Sequence, residues 1–256
     1  MNIILIRQEE LLDNTVTFTK TDERFQHIKK ILKLSTGSVF KAGIINGEKG
    51  RAEVIRFTDD YLTARFTALS AAAELPHIRL VLGFPRPIQL RRILRDAAGL
   101  GIEALYLSGT ELGEKSYLHA DLAAIEEIER LLTDGCCQAG ETRIPRVYRS
   151  YSLRHFFEQY EHEMRPDHIR AVLDVPSAVA VPVIKPLTAL QWDGGKPLWL
   201  AAGNERGWSA DERLLFAGRG FQAYSMGSRI LRTETAVAAS LAVCLAAGGI
   251  WSAGCL

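Results

Sequence analysis

The chain has 256 residues, of which 47% are hydrophobic and 24% charged, with a formal net charge of +1. That length suits one small and one larger domain, and the composition is that of an ordinary globule, not of a disordered, collagenous or disulfide-stapled chain. No apolar run approaches the ~20 residues that span a bilayer. The opening MNIILIRQEE has neither a basic leader nor a small-residue cleavage site, so it reads as a first strand and a cytoplasmic, membrane-free protein is expected.

Residues 1–72 read as β-structure with one helix. The runs 3–6, 37–45, 51–57 and 61–69 are short, partly alternating and rich in β-branched or aromatic residues. Asn46-Gly47 between two of them is a hairpin signal. Asp22 is placed to cap a helix whose apolar positions Phe25, Ile28, Ile31 and Leu32 share one face, with Gly37 ending it. A small β-barrel domain is predicted, followed by the linker SAAAELP at 70–76.

From residue 77 to 256 strands alternate with helices. Runs 78–84, 102–108, 169–175, 197–203 and 222–226 are predicted strands. Helices are predicted at 88–100, 121–132, with a further one through Cys136 to 139, then 211–217 and 235–247. That alternation predicts an α/β domain with a mostly parallel sheet covered on both faces. The four cysteines, Cys136, Cys137, Cys244 and Cys255, form no C-x-x-C pair and have no histidine cluster nearby. No metal site and no disulfide framework are expected.

Charge is segregated. Between residues 27 and 56, seven basic residues (Lys29, Lys30, Lys33, Lys41, Lys49, Arg51, Arg56) stand against Glu48 and Glu53, a local +5. From 79 to 95 there are five arginines, Arg86 among them, and no acid. A basic face that attracts phosphates is one reading; independent solvated patches are the other.

Ligands of open α/β sheets bind beyond the carboxyl ends of the strands. Two such ends are unusual. LWLAAGNERGWSADE, 198–212, runs from an apolar strand into a loop with Gly203 and Gly207, then opens a helix at Ser209 with Glu212 three residues on, a capping-box spacing. The two glycines let backbone approach a ligand, although the G-x-x-x-G spacing is not a dinucleotide fingerprint. In YSMGSRILRTETAVAASLAV, 224–243, an apolar pair, Ile230-Leu231, lies in a loop between Arg229 and Arg232. Such a loop can wall an apolar ligand part, or simply dock a helix through two core residues.

The segment GSRILRTETA, 227–236, resembles the LG-x-RILR-x-ETA signature of the bacterial ribosomal RNA small subunit methyltransferase E family, the uridine N3-methyltransferases of the SPOUT superfamily. AAGNERGWSADE stands where that family has GPEGGF-S-x-x-E. CCQAGETRIPRV resembles A-x-EQSGR-x-x-x-P, and RFQHIKKILKLSTGSVFKAG resembles H-x-x-x-VLR-x-x-x-G. Resemblance covers nearly the whole chain and is strongest at the C-terminal end. Departures are Asn204 and Arg206 in the glycine loop, Arg86-Pro87 for Lys-Gly, and Cys137-Gln138 for Glu-Gln.

The resemblance implies a PUA-like barrel over 1–72 and a SPOUT trefoil-knot domain over 77–256. It implies an S-adenosyl-L-methionine-dependent RNA methyltransferase that works as a homodimer in ribosomal RNA processing, most simply on N3 of a uridine in 16S ribosomal RNA. Carried over residue by residue, Leu173, Gly203, Gly207, Met226, Gly227, Ile230 and Leu231 would line the cofactor. Arg232, Arg229 and Glu205 would serve catalysis. Lys29, Lys30, Lys33, Arg51 and Arg86 would hold RNA. A SPOUT enzyme with another RNA target and a non-catalytic ribosome-assembly factor are the alternatives.

Overall fold

The computed structural model describes residues 2–119, 124–175 and 184–251. Two compact units divide the chain. The first holds the residues up to Glu74 together with Thr133–Ile144, the second Leu75–Leu132 and the chain from Pro145 onward.

The first unit is built on five strands, β1 (Ile4–Ile6), β2 (Thr15–Thr19), β3 (Val39–Ile44), β4 (Lys49–Phe57) and β5 (Tyr61–Ser70). They pair in the order β1-β3-β4-β5-β2, β1 parallel to β3 and the other pairs antiparallel. The expected barrel is thus a five-stranded sheet with β1 and β2 as its two edges. Alternation sets its core: on β4 Ala52 and Val54, and on β5 Leu62, Ala64 and Phe66, point inward onto Val16, Phe18, Phe25 and Phe40.

Helix α1 (Glu23–His27) begins as expected, the Asp22 carboxylate accepting from the Arg24 backbone N–H. It then widens into a π-helical turn, Ile28–Leu32, and stops at Lys33, which takes the left-handed conformation at φ +53°. The helix therefore ends before Gly37. Phe25 and Ile28 enter the core, whereas Ile31 stays 67% exposed. At the β3–β4 turn the positive φ falls on Asn46, at +59°, and not on Gly47. Arg24 ties the unit's start together: its guanidinium bonds Glu10, Asp22 and the Leu5 carbonyl and lies over the Phe18 ring. These bonds from Arg24 hold the Glu10 carboxyl below the usual carboxylate range. Burial raises Asp22, and the Arg24 bonds overcome it, leaving that group low as well.

The second unit is a seven-stranded sheet with helices between the strands. In chain order these are β6 (Ile78–Gly83), α2 (Pro87–Leu100), β7 (Ala104–Ser108), α3 (Ile125–Ala139), β8 (Arg146–Ser150), α4 (Leu153–Tyr160), β9 (Ile169–Leu173), β10 (Lys185–Pro186), β11 (Leu198–Ala202), α5 (Ala210–Ala217), β12 (Gln222–Ser225) and α6 (Thr233–Ala247). The strand order is β10-β12-β9-β11-β6-β7-β8 and every pair is parallel. Central strands β7 and β11 are buried at every position, the mark of a sheet covered on both faces. Trp199, Tyr106, Phe156, Phe157, Trp208, Phe216 and Phe221 fill one face; α2 and α6 pack on each other against the opposite one.

Strands β8 and β10 and helix α4 were not expected, and α3 is one helix running through Gly135 rather than two. Cys136, Cys137 and Cys244 are buried free thiols, and burial pushes Cys136 and Cys244 each up to about 12. Cys255 lies outside the described residues. Later strands are inserted between earlier ones, β11 between β9 and β6 and β12 between β10 and β9. The expected knot depends on the path of residues 176–183, which also lie outside them.

Candidate functional site

Because β9, β11 and β12 are adjacent and parallel, the chain leaves all three at one edge, after Leu173, Ala202 and Ser225. The expected cofactor residues all lie at or just beyond these ends, so the fold brings three loops separated in sequence to one edge.

The loop after β11 is a tight backbone reversal. The Gly207 N–H donates to the Asn204 carbonyl at 3.0 Å, and a Cβ on Gly203 would sit 2.9 Å from the Gly207 Cα and 3.0 Å from its carbonyl carbon. Gly203 is required by that approach, and Gly207 by its φ of +70°. The residues that depart from the family pattern brace this reversal. Asn204 is buried; its Nδ2 donates to Thr110 Oγ1 at 2.8 Å and its Oδ1 accepts from the Arg206 N–H at 2.8 Å. The Arg206 guanidinium reaches the Leu112 carbonyl at 3.1 Å. Beneath the loop, a Cβ on Gly83 would meet the Asn204 nitrogen at 2.8 Å.

The capping box at the start of α5 forms as its spacing predicts, Ser209 Oγ accepting from the Glu212 N–H and Glu212 from the Ser209 N–H. Glu212 is 3% exposed and also accepts from the Glu111 N–H. Burial raises its carboxyl above the usual range, against those backbone bonds. Two braces were not foreseen in the sequence. Trp208, fully buried, donates its indole N–H to the Leu173 carbonyl at 3.2 Å, which fixes the backbone oxygen of a residue expected to line the cofactor. Arg213 grips Asp174 at 2.6 and 3.0 Å across the foot of the same loop, with the Asp174 side chain 5% exposed. The only available cue was that a tryptophan and an arginine flank the capping box.

Glu205 is an exposed residue whose Oε1 accepts from the Arg86 backbone N–H at 2.8 Å. It holds the N-cap of α2 against the glycine loop. Arg86 itself is exposed, and Pro87 follows as the first residue of the helix, where a missing N–H costs nothing.

In the loop after β12, Gly227 adopts φ +98° and a Cβ there would touch nothing within 4 Å. Met226 and Leu231 are half-buried, while Arg229, Ile230 and Arg232 are exposed. Ile230 is 87% exposed, so this apolar residue does not dock the helix into the core. Helix α6 starts at Thr233, two residues earlier than expected, which makes Arg232 its N-cap. Glu234 in its first turn pairs with Arg92 at 3.2 Å.

The basic residues expected to hold RNA fall in both units. In the first, Lys29 is paired with Asp59 at 3.0 Å, while Lys30 and Lys33 project from the π-helical turn and its left-handed stop, both exposed. Arg51 faces Lys41 directly across β4 and β3, and both are exposed. Like charges opposed in this way repel, so the pair marks a locally positive surface. Arg86 belongs to the second unit.

Comparison with known proteins gives the same class. The RNA methyltransferase domain family matches residues 73–245, a range that holds the whole seven-stranded sheet. Ribosomal RNA small subunit methyltransferase E of Treponema pallidum (strain Nichols) is 47% identical over 253 residues, covering 98% of this chain and 93% of that protein. Ribosomal RNA small subunit methyltransferase E 1 of Borreliella burgdorferi is 29% identical over 94% of this chain and 96% of its own length. The chain belongs to the ribosomal RNA small subunit methyltransferase E family. The fold agrees. A crystal structure of the Neisseria gonorrhoeae family member bound to S-adenosyl methionine superposes with a TM-score of 0.75 at 19% identity, over 96% of this chain and 97% of that one. A probable rRNA-methyltransferase from Porphyromonas gingivalis superposes with a TM-score of 0.79 at 15% identity, over 98% and 100%.

Proposed function

We propose that this chain is an S-adenosyl-L-methionine-dependent methyltransferase of small-subunit ribosomal RNA that methylates N3 of a uridine. The observation that carries the reading is the edge where β9, β11 and β12 end. There Gly207 and Gly227 leave open space where a Cβ would stand, and Met226, Ile230 and Leu231 follow the end of β12. An exposed apolar side chain, Ile230, between half-buried Met226 and Leu231 and next to accessible main chain suits a ligand that has an aromatic ring and polar edges. The residues present therefore fit the cofactor, with Leu173, Gly203, Gly207, Met226, Gly227, Ile230 and Leu231 as its wall.

When bound, the cofactor supplies an electrophilic methyl on a sulfonium. The protein's part is to align the uridine N3 with that methyl and to favour loss of the N3 proton, which leaves negative charge on the flanking carbonyl oxygens. Arg232, exposed at the N-cap of α6, is assigned to that charge, with Arg229 beside it. Glu205 acts as an organiser: its carboxylate is engaged with the Arg86 N–H. Lys30, Lys33 and Arg51 position RNA through phosphates, and Lys29 contributes less because Asp59 holds it. The outward face of α6, lined by Ala238, Ala239 and Ala242, serves a homodimer. A cytoplasmic location follows from the substrate.

Asn204, Arg206 and Arg86-Pro87 favour a second reading, in which the RNA target differs. One experiment separates the two. The protein is incubated with labelled cofactor and small-subunit ribosomal RNA, and the digested nucleosides are analysed by mass spectrometry. A single 3-methyluridine is expected. A different methylated nucleoside overturns the uridine assignment, and failure to bind S-adenosylhomocysteine in calorimetry overturns the enzyme reading in favour of a non-catalytic assembly factor.

A further inference from the structure

Tyr151 follows the last residue of β8, the sheet's edge strand, and so leaves the sheet on the same side as the cofactor loops. Tyr151 is 68% exposed. The other tyrosines of this region, Tyr106, Tyr148 and Tyr160, pack into one aromatic cluster with Phe156 and Trp199. Tyr151 is outside that cluster and stacks instead on the His155 imidazole, ring centres 3.9 Å apart and planes 25° off parallel.

His155 is in turn fixed. It sits in the first turn of α4, its backbone N–H bonded to the Ser152 cap at 3.2 Å, and its Nδ1 is buried without a hydrogen-bond partner among the described residues. The imidazole thus backs the phenol ring as a flat plate. Arg149 and Arg154 lie on either side in sequence, both exposed.

The platform is tied to the proposed active site. The Gly109 N–H donates to the Ser150 carbonyl at 2.9 Å, and the next residue, Thr110, accepts from Asn204 of the glycine loop at 2.8 Å. Three strand spacings separate β8 from β11, about 14 Å at ~4.8 Å per strand. A short run of single-stranded RNA leading away from the active site spans such a distance.

We infer that the Tyr151–His155 stack is a base platform, on which an unpaired base flanking the methylated nucleotide rests. This rests on the RNA methyltransferase reading above. An exposed aromatic ring backed by a second ring is an arrangement that holds unpaired bases irrespective of sequence.

The test uses the full chain and a fluorescein-labelled single-stranded 12-mer of oligoadenylate, followed by anisotropy. Tyr151→Ala should bind about 5- to 100-fold more weakly, as expected for the loss of one base stack. Tyr151→Phe should stay within about twofold of wild type, because the phenol oxygen takes no part. The slope of log affinity against log salt should be equal in all three, since no phosphate contact is lost. S-adenosylhomocysteine affinity should also be equal, which confirms that each variant is folded. Unchanged RNA affinity in Tyr151→Ala overturns the proposal, and so does a Tyr151→Phe variant as weak as Tyr151→Ala. Failure of the enzyme reading looks different: wild type would bind RNA through Tyr151 but neither bind S-adenosylhomocysteine nor transfer methyl.

Discussion

Replacing Gly203 by alanine is the sharpest perturbation of the glycine loop. The new methyl would lie 2.9 Å from the Gly207 Cα, 3.0 Å from its carbonyl carbon and 3.3 Å from its oxygen. All three are backbone atoms, so no side chain can swing aside. Ordinary contact begins near 3.4 Å, so the loop must open by roughly 0.5 Å or keep the strain. Overpacking of this kind costs about 1–3 kcal/mol. If the strain stays in the folded protein, about 2 kcal/mol lowers the melting temperature by roughly 4–8 °C for a chain of this size. If the loop opens instead and the cofactor must close it again, the same energy appears as about a 30-fold weaker Kd for S-adenosylhomocysteine. The two losses are partitions of one quantity, read by thermal melting and calorimetry on the same sample. Gly207→Ala is the control. Its methyl would touch nothing within 4 Å, so only the left-handed φ of +70° is penalised, by about 1–2 kcal/mol. Wild-type melting and wild-type affinity together in Gly203→Ala would refute the argument that backbone approach demands glycine there.

Arg232→Ala should leave melting and cofactor affinity near wild type while methyl transfer falls by about 10²–10³-fold; unchanged turnover removes this arginine from the mechanism. Glu205→Gln keeps an oxygen to accept from the Arg86 N–H and should retain most turnover, whereas Glu205→Ala should not. If the glutamine variant is as inactive as the alanine variant, the carboxylate's charge matters and an organising role is insufficient. Changing Lys30 and Lys33 together to alanine should reduce the salt slope of RNA binding by about 2, with a smaller effect from Lys29, which Asp59 already neutralises. The Glu10 and Asp22 carboxyls titrate below their ordinary values in the folded chain, so their stabilisation is complete above about pH 5 and disappears as pH falls through the lowered values. The gap in melting temperature between wild type and Arg24→Met should be widest at neutral pH and narrow under acid. A gap independent of pH would show that Arg24 acts through packing on Phe18 alone.

Much of the second unit was legible because its strands are continuous apolar runs and its helices carry an i, i+3, i+4 face. The elements that escaped have physical reasons. β8 is an edge strand of sequence RVYRS, only half-buried and with arginines at its first and fourth positions, so it lacks the apolar run. β2 alternates threonine with Val16 and Phe18, and threonine's polarity masks the pattern. Two helices were expected on either side of residues 133–135, yet buried Leu131, Leu132 and Cys136 hold one helix through Gly135. In the site, motif and spacing gave the glycines and the capping box. The bonds from Trp208 to Leu173, from Arg213 to Asp174 and from Asn204 to Thr110 join residues 35 to 94 positions apart, and no local pattern announces them.

The first unit's sheet also depends on a stretch of chain made much later. The backbone N–H groups of Asn2 and Ile3, at the β1 edge, both donate to the Cys137 carbonyl; Asn46 N–H donates to the Thr142 carbonyl, and Lys49 pairs with Glu141. The last strand of that sheet ends at Ser70, but these partners are synthesised more than sixty residues later. At roughly 5–20 residues per second, the nascent sheet waits several seconds with one margin open, and an open strand margin invites pairing with a neighbouring chain. A fragment cut at residue 74 would keep that vulnerability permanently. Slower translation between codons 70 and 144 would lengthen that exposure.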